Sequence, residues 1–273
     1  MNCIVCNKDT KEVWGKKDNY TAVKCLQCGM IWIDPIPSKE KLDQFYSNYY
    51  QGRVEDSALT EQRKIMYLLD RDWLQQFVQG GSLLDIGCSD GSFLSTFGSA
   101  WERHGIEIGK DAVQQALAKN LNVLQGSEEE ALSFGKKFDL ITMRGTIEHF
   151  RDPRNVVKVA SSVLKQGGYF FVTATPDAEA FCANLYRGKW NQFEPPAHLY
   201  YFTIKTLTTL MEQFGLKKVA QHHFYPETPY ANLQKDHLKV MHDMQLINSG
   251  CGDEVVKSGA FWGNMMTVLY QKV

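Results

Sequence analysis

Residues 83–91 read Leu83-Leu84-Asp85-Ile86-Gly87-Cys88-Ser89-Asp90-Gly91. A short apolar run bounded by small, turn-forming residues is the pattern of a buried strand that ends in a tight loop. A helix is expected directly after it, over Ser92–Phe97, and the alternation then continues. His104–Ile108 reads as a strand, Asp111–Lys119 as a helix, Asn122–Gln125 and Phe138–Met143 as strands, Pro153–Leu164 as a helix and Tyr169–Ala174 as a strand. Strands alternating with helices imply an α/β fold with a doubly wound parallel sheet and right-handed crossovers. A helix at Lys205–Phe214, a strand at Leu216–Phe224, a helical excursion over Asn232–Ile247 and a last strand at Asn264–Gln271 complete the pattern. Such an ending suits a seven-stranded sheet whose final strand runs antiparallel.

The chemistry is expected where the strands end, because open α/β sheets bind ligands outside their carboxyl edges. The first strand ends as Asp85-x-Gly87-x-Ser89-x-Gly91. Small residues let the backbone approach a ligand, and a helix N-terminus would add a partial positive field. The second strand ends at Glu107, 20 residues beyond Gly87, where a carboxylate can accept both ribose hydroxyls. Together they point to an adenosine-containing ligand. A dinucleotide loop would need Gly-x-Gly-x-x-Gly, and the run from Gly87 lacks the second and third glycines. No Gly-Lys-Ser/Thr phosphate loop is present either.

The glycine run resembles motif I of the class I S-adenosylmethionine-dependent methyltransferases, acidic-x-Gly-x-Gly-x-Gly, with Ser89 at the middle glycine. The resemblance extends over about residues 80–273. It continues in order through Gly105-Ile-Glu107-Ile108, Gly126-Ser127, Phe138-Asp-Leu-Ile141 and Thr146-Ile-Glu148-His149-Phe-Arg-Asp-Pro153. Pro196-Ala-His198-Leu-Tyr-Tyr-Phe202-Thr203 is similar to the segment after strand five in a bacterial small-molecule subgroup that includes sugar methyltransferases. The resemblance implies a Rossmann-like methyltransferase sheet and S-adenosylmethionine as cofactor. It places Asp85, Gly87, Ser89 and Gly91 at the methionine end, Glu107 on the ribose and Ile108 against adenine. Ser127 stands where the family often has an aspartate reaching the adenine amine. Arg144, Gly145 and Thr146 would pass beside the methionine and sulfonium.

Methyl transfer is an in-line displacement at an already activated carbon, so the protein mainly aligns and desolvates. An alcohol acceptor also needs a base, for which histidine is suited near neutral pH. His149 follows the fourth strand and His198 the fifth, and both are candidate catalytic residues. In the sugar C-methyltransferases a Glu-His pair supplies the base. Here Ala197-His198 keeps the histidine, and Glu194 is the nearest carboxylate. Trp190, Tyr200, Tyr201, Phe224 and Tyr225 could wall an acceptor or pack a core.

Upstream, Cys3-x-x-Cys6 and Cys25-x-x-Cys28 have the spacing of a four-cysteine zinc ribbon. Asn7 and Gly29 follow the second cysteine of each pair, where the turn needs a left-handed residue. Four cysteine ligands close the coordination sphere, so Zn2+ is expected to be structural. Glu12–Trp14 and Tyr20–Lys24 read as its strands; Pro35 and Pro37 end it. The same zinc unit accompanies the bacterial subgroup. Residues 38–79 read as a helical connector, with Ser38 as N-cap, Tyr46, Tyr49 and Tyr50 as an aromatic cluster, and a long amphipathic helix from about Ser57. The expected domains are therefore a ribbon at 1–37, this connector, and a catalytic domain at 80–273 that carries a helical insertion over 225–262.

Composition narrows the partners. The 273 residues carry 30 Lys+Arg against 31 Asp+Glu, a net charge of −1, which argues against a nucleic-acid binder. No apolar run is long enough to cross a bilayer, and the first residues lack the pattern of an export signal. A cytoplasmic protein with reduced cysteines is expected. Met143-Arg-Gly-Thr146 is not the Asn/Asp-Pro-Pro-aromatic run of base-amino methyltransferases, and no Pro-Cys nucleophile occurs. The expected substrate is a small polar acceptor, methylated on oxygen in a sugar-like or biosynthetic intermediate. C- or N-methylation, or cofactor binding without turnover, are the alternatives.

Overall fold

A computed structural model describes residues 1–51, 57–256 and 258–273, with side chains undescribed over 47–58. The side chains of Tyr49 and Tyr50, and positions 52–56 of the expected connector, thus lie outside what is described. The chain divides into two compact units. One comprises Met1–Ala58, Pro176–Thr206 and His223–Met265; the other comprises Leu59–Thr175, Leu207–His222 and Met266–Val273. No helix among the described residues is long and apolar enough to cross a membrane.

The first unit begins with the antiparallel pair Lys11–Lys17 (β1) and Tyr20–Cys25 (β2), followed by Ile31–Ile33 (β3). Sequence reading missed β3, although Met30-Ile-Trp-Ile33 is an uninterrupted apolar run, and all four residues are buried. Helix Lys39–Gln51 (α1) starts beyond Ser38, whose hydroxyl accepts from the Lys41 amide at 3.4 Å. That is the N-cap expected of serine there. Helix Ser57–Leu74 (α2) follows.

The second unit carries the α/β alternation. Its elements are Gly81–Ile86 (β4), Trp101–Glu107 (β5), Lys110–Ala118 (α3), Asn122–Gln125 (β6), Phe138–Arg144 (β7), Pro153–Val163 (α4) and Leu164–Pro176 (β8). The chain continues through Phe181–Tyr186 (α5), Tyr200–Tyr201 (β9), Ile204–Glu212 (α6), Leu216–His222 (β10), Leu233–Asn248 (α7) and Met265–Lys272 (β11). Among the described residues, the strands form a four-stranded sheet, β1-β2-β3-β9, and a seven-stranded sheet, β10-β11-β8-β7-β4-β5-β6. β4, β5, β6, β7 and β8 pair in parallel, while β11 runs antiparallel to β10.

The helix expected over Ser92–Phe97 is instead a short 3-10 turn at Leu94–Thr96. Its hydroxyls explain the difference. Ser95 donates to the Gly91 carbonyl at 2.9 Å and Thr96 to the Phe93 carbonyl at 2.7 Å. Such side-chain bonds offer the backbone an alternative to the α-helical ladder. Phe93, Leu94 and Phe97 remain buried in the core of the second unit, alongside Leu83, Trp101 and Phe171.

Candidate active site

Strand order locates the crevice. The chain steps outward from β4 to β5 and β6, then returns to place β7 on the other side of β4. The switch between β4 and β7 opens a gap at their carboxyl ends, where an open α/β sheet receives a ligand. Asp85 lies there, buried, and takes a hydrogen bond from the Thr142 hydroxyl at 2.6 Å. Burial pushes its carboxyl up to about 7, against the pull of Thr142 and Arg144. Beyond it Gly87 has φ +79°, and a Cβ built on it would stand 2.5 Å from Thr146 Cγ2. Gly91 has φ +72° and its Cβ would meet Leu121 Cδ1 at 2.2 Å. Ser89 holds φ +50°, the left-handed conformation its glycine counterpart would adopt freely. The expected field of a helix N-terminus is absent after this loop, since only the 3-10 turn follows.

Glu107 ends β5 and ties the loop down. One carboxylate oxygen accepts the Ser89 amide at 2.9 Å, and the other accepts the Gly109 amide at 2.8 Å. An ionised carboxylate has about four acceptor positions, so two bonds leave capacity for a pair of hydroxyls. Next to it, Ile108 is 55% exposed, an apolar side chain bare at the mouth of the sheet. Ser127 follows β6 and donates its hydroxyl proton to Glu129. With that proton committed, its oxygen is left as an acceptor.

At the end of β7, the Arg144 Nε donates to Asp70 of α2 at 2.8 Å, and its guanidinium carbon lies 4.6 Å from the Tyr67 ring centroid. Asp70 is 1% exposed and also accepts from Thr173 at 2.7 Å. Burial pushes its carboxyl up, opposed by Arg144 and Thr173. Sequence reading missed Asp70 and Tyr67, which lie on an amphipathic helix with no motif of their own. Gly145 has φ +58°, and Thr146 donates to the Ile86 carbonyl at 3.2 Å, joining β7 to β4. Glu148, fully buried, accepts from Thr175 at 3.1 Å, and burial pushes it up to about 7. His149 closes the next 3-10 turn, half-buried.

His198 belongs to the first unit. Its Nδ1 lies 2.8 Å from the Gln192 carbonyl, which can only accept. The neutral imidazole therefore carries its proton on Nδ1 and keeps Nε2 as the basic nitrogen. The Tyr46 hydroxyl donates to Ala197 at 3.3 Å. Trp190, Tyr200, Tyr201 and Tyr225 are buried. Trp14 stacks on Tyr201 at 6.0 Å and meets Trp190 edge-on, while Trp190 Nε1 donates to Asn264.

In the same unit the sulfurs of Cys3, Cys6, Cys25 and Cys28 all lie within 4.8 Å of one another. Cys3 and Cys28 are 3.4 Å apart, Cys6 and Cys25 3.5 Å. Four thiolates at ~2.3 Å from a tetrahedral Zn2+ would be separated by about 3.8 Å, so the donor set suits that ion in type and spacing. Asn7 and Gly29 take φ +58° and +83°, and their amides bond back to the Cys3 and Cys25 carbonyls.

A family model described as a methyltransferase domain matches residues 58–221. A ubiquinone biosynthesis O-methyltransferase of Glaesserella parasuis is 23% identical over 218 residues, 72% of this chain and 91% of that protein. The corresponding protein of Erwinia tasmaniensis is 30% identical over 122 residues, 40% of this chain and half the length of the relative. Among solved structures, an S-adenosylmethionine-dependent methyltransferase of Thermotoga maritima covers 86% of this chain and 100% of its own at 19% identity, with TM-score 0.56. Magnesium protoporphyrin IX methyltransferase of Synechocystis, solved with bound S-adenosylhomocysteine, covers 86% of this chain and 95% of its own at 12% identity and TM-score 0.52. These two likenesses concern the fold.

Proposed function

This chain belongs to the class I S-adenosylmethionine-dependent methyltransferases, and from that premise we propose that it methylates an oxygen of a small biosynthetic acceptor. The observation that carries the cofactor assignment is the end of β5, where Glu107 keeps acceptor capacity beside the bare Ile108 side chain. Glu107 holds the ribose hydroxyls and Ile108 covers one face of adenine. The Ser127 oxygen accepts from the adenine amine. Asp85, Gly87, Ser89 and Gly91 surround the methionine end, with Arg144, Gly145 and Thr146 alongside it. The bound cofactor supplies a methyl group on positively charged sulfur.

Held by these residues, the group would offer that methyl carbon to an acceptor oxygen and would keep the electron pair of its carbon–sulfur bond. The hydroxyl proton passes to a base, for which we assign His198 through Nε2, with His149 as the second candidate. Two relatives named as ubiquinone biosynthesis O-methyltransferases support oxygen as the methylated atom. We read residues 1–37 as a ribbon whose four cysteines hold a structural Zn2+, 38–79 as the connector and 80–273 as the catalytic domain, with 225–262 as a helical insertion.

The test is methyl-labelled cofactor incubated with a panel of phenols, catechols and sugar-like polyols, the products resolved by mass spectrometry. Label on acceptor oxygen is expected; label only on nitrogen or carbon acceptors overturns the proposal. His198→Ala should lower turnover by about 10²–10⁴-fold with cofactor affinity retained, and full activity would remove the assignment of that base.

A further inference from the structure

Arg144 is two residues beyond Thr142, which pairs with Asp85, so it stands level with Gly87 at the switch between β4 and β7. A guanidinium is positive at every physiological pH. It is an unfavourable neighbour for a ligand whose reactive sulfur is also a cation. The protein does not leave that charge bare. Asp70 reaches from α2, 74 residues earlier in sequence, to accept from Arg144 Nε at 2.8 Å. Its other oxygen is occupied by the Thr173 hydroxyl at 2.7 Å, itself 2.7 Å from Thr267. The Tyr67 ring lies under the guanidinium. Side chains from three strands and one helix thus hold a single ion pair, with its carboxylate buried.

We propose that Asp70 is a positioning residue that fixes Arg144 at the switch-point crevice and compensates its charge, so that the crevice accepts a cationic sulfonium as well as the neutral thioether left after transfer. This rests on the assignment of the cofactor to that crevice. The consequence is specific to charge. S-adenosylmethionine carries the sulfonium and S-adenosylhomocysteine does not, while adenine, ribose and the amino acid end are common to both. A change at Asp70 that only loosened the fold would weaken both ligands together.

The experiment measures both ligands by calorimetry on the full chain and three variants. Asp70→Asn leaves the guanidinium uncompensated and should shift the affinity ratio about tenfold or more toward S-adenosylhomocysteine. Arg144→Met leaves the carboxylate unpaired and should shift it the opposite way. The double variant, with neither charge, should return toward the unmodified ratio, and it retains the test if Asp70→Asn alone does not fold. An unchanged ratio in the folded single variants, or equal loss of both ligands, overturns the proposal. If the unmodified protein binds neither ligand, the cofactor assignment itself falls and this inference with it.

Discussion

Glu107 fastens the loop after β4, and the proposed ribose contact adds to that role. Its oxygens hold the Ser89 and Gly109 amides, and its remaining acceptor positions suit a ribose. Glu107→Ala should therefore weaken cofactor binding by about 2–4 kcal/mol through lost charge-assisted hydrogen bonds. Unchanged calorimetric affinity would refute the role. Asp85 makes a prediction in pH. Its buried carboxyl is raised to about 7 from an ordinary value of 3.8. Between these values the unfolded chain is ionised while the folded protein keeps its proton, so stability falls as pH rises across that window. The loss is roughly 4 kcal/mol when complete, because each tenfold difference in proton affinity between the two states is worth about 1.4 kcal/mol. Asp85→Asn should make the cofactor-free protein's thermal-midpoint profile shallower between pH 4 and pH 7, with a residual slope from Glu148, which burial also raises to about 7; an unaltered slope would count against Asp85. That Asp85, Ser89 and Glu107 stand at or just beyond strand ends was legible in sequence, because the apolar runs before them are short and their spacing is fixed. Asp70 was not, because a carboxylate on an amphipathic helix looks like any solvated one until its partner is known.

The turns between elements carry more of the constraint than the elements do. Gly91 combines φ +72° with a Cβ position 2.2 Å from Leu121 and 3.2 Å from Ala116 on α3. Gly91→Ala should cost about 2–4 kcal/mol, from left-handed strain plus overpacking. Gly98→Ala is the control, since nothing lies within 4 Å of its would-be Cβ; the two denaturation midpoints decide. Expected element positions agreed well with the structure wherever the apolar period was long, as in Pro153–Val163 and Phe138–Arg144. They failed at Ser92–Phe97, where serine and threonine hydroxyls captured backbone carbonyls, and at the three-residue β3, too short to show a period.

Within the first unit, segments far apart in sequence close one core. β3 pairs with β9 in register Ile31↔Tyr201, and Trp14 packs against Trp190, Phe193 and Tyr201. α7 joins the same unit through the Tyr186 hydroxyl on Asp243, and Lys189 bonds the Gly252 and Asp253 carbonyls. The cysteine cluster sits at the end of β2, the strand that bridges β1 to β3. Cys25→Ser should therefore reduce bound zinc and lower the thermal midpoint of this unit before it changes the cofactor affinity of the other. Metal analysis beside calorimetry checks this, and full zinc retention would count against a four-cysteine site. The spacing of the cysteines, the glycine loop and the alternation of strands with helices were determined by sequence alone, since each is a local pattern that backbone geometry imposes over a few residues. The Asp70–Arg144 pair, the Gln192 carbonyl on His198 and the burial of Trp190 and Tyr201 were decided only by tertiary structure. Asp70 and Arg144 are 74 residues apart and leave no periodic trace; Gln192 and His198 are only six apart, but an irregular loop joins them and has no period to read. Whether a polar or aromatic side chain works or merely packs depends on what the fold brings against it.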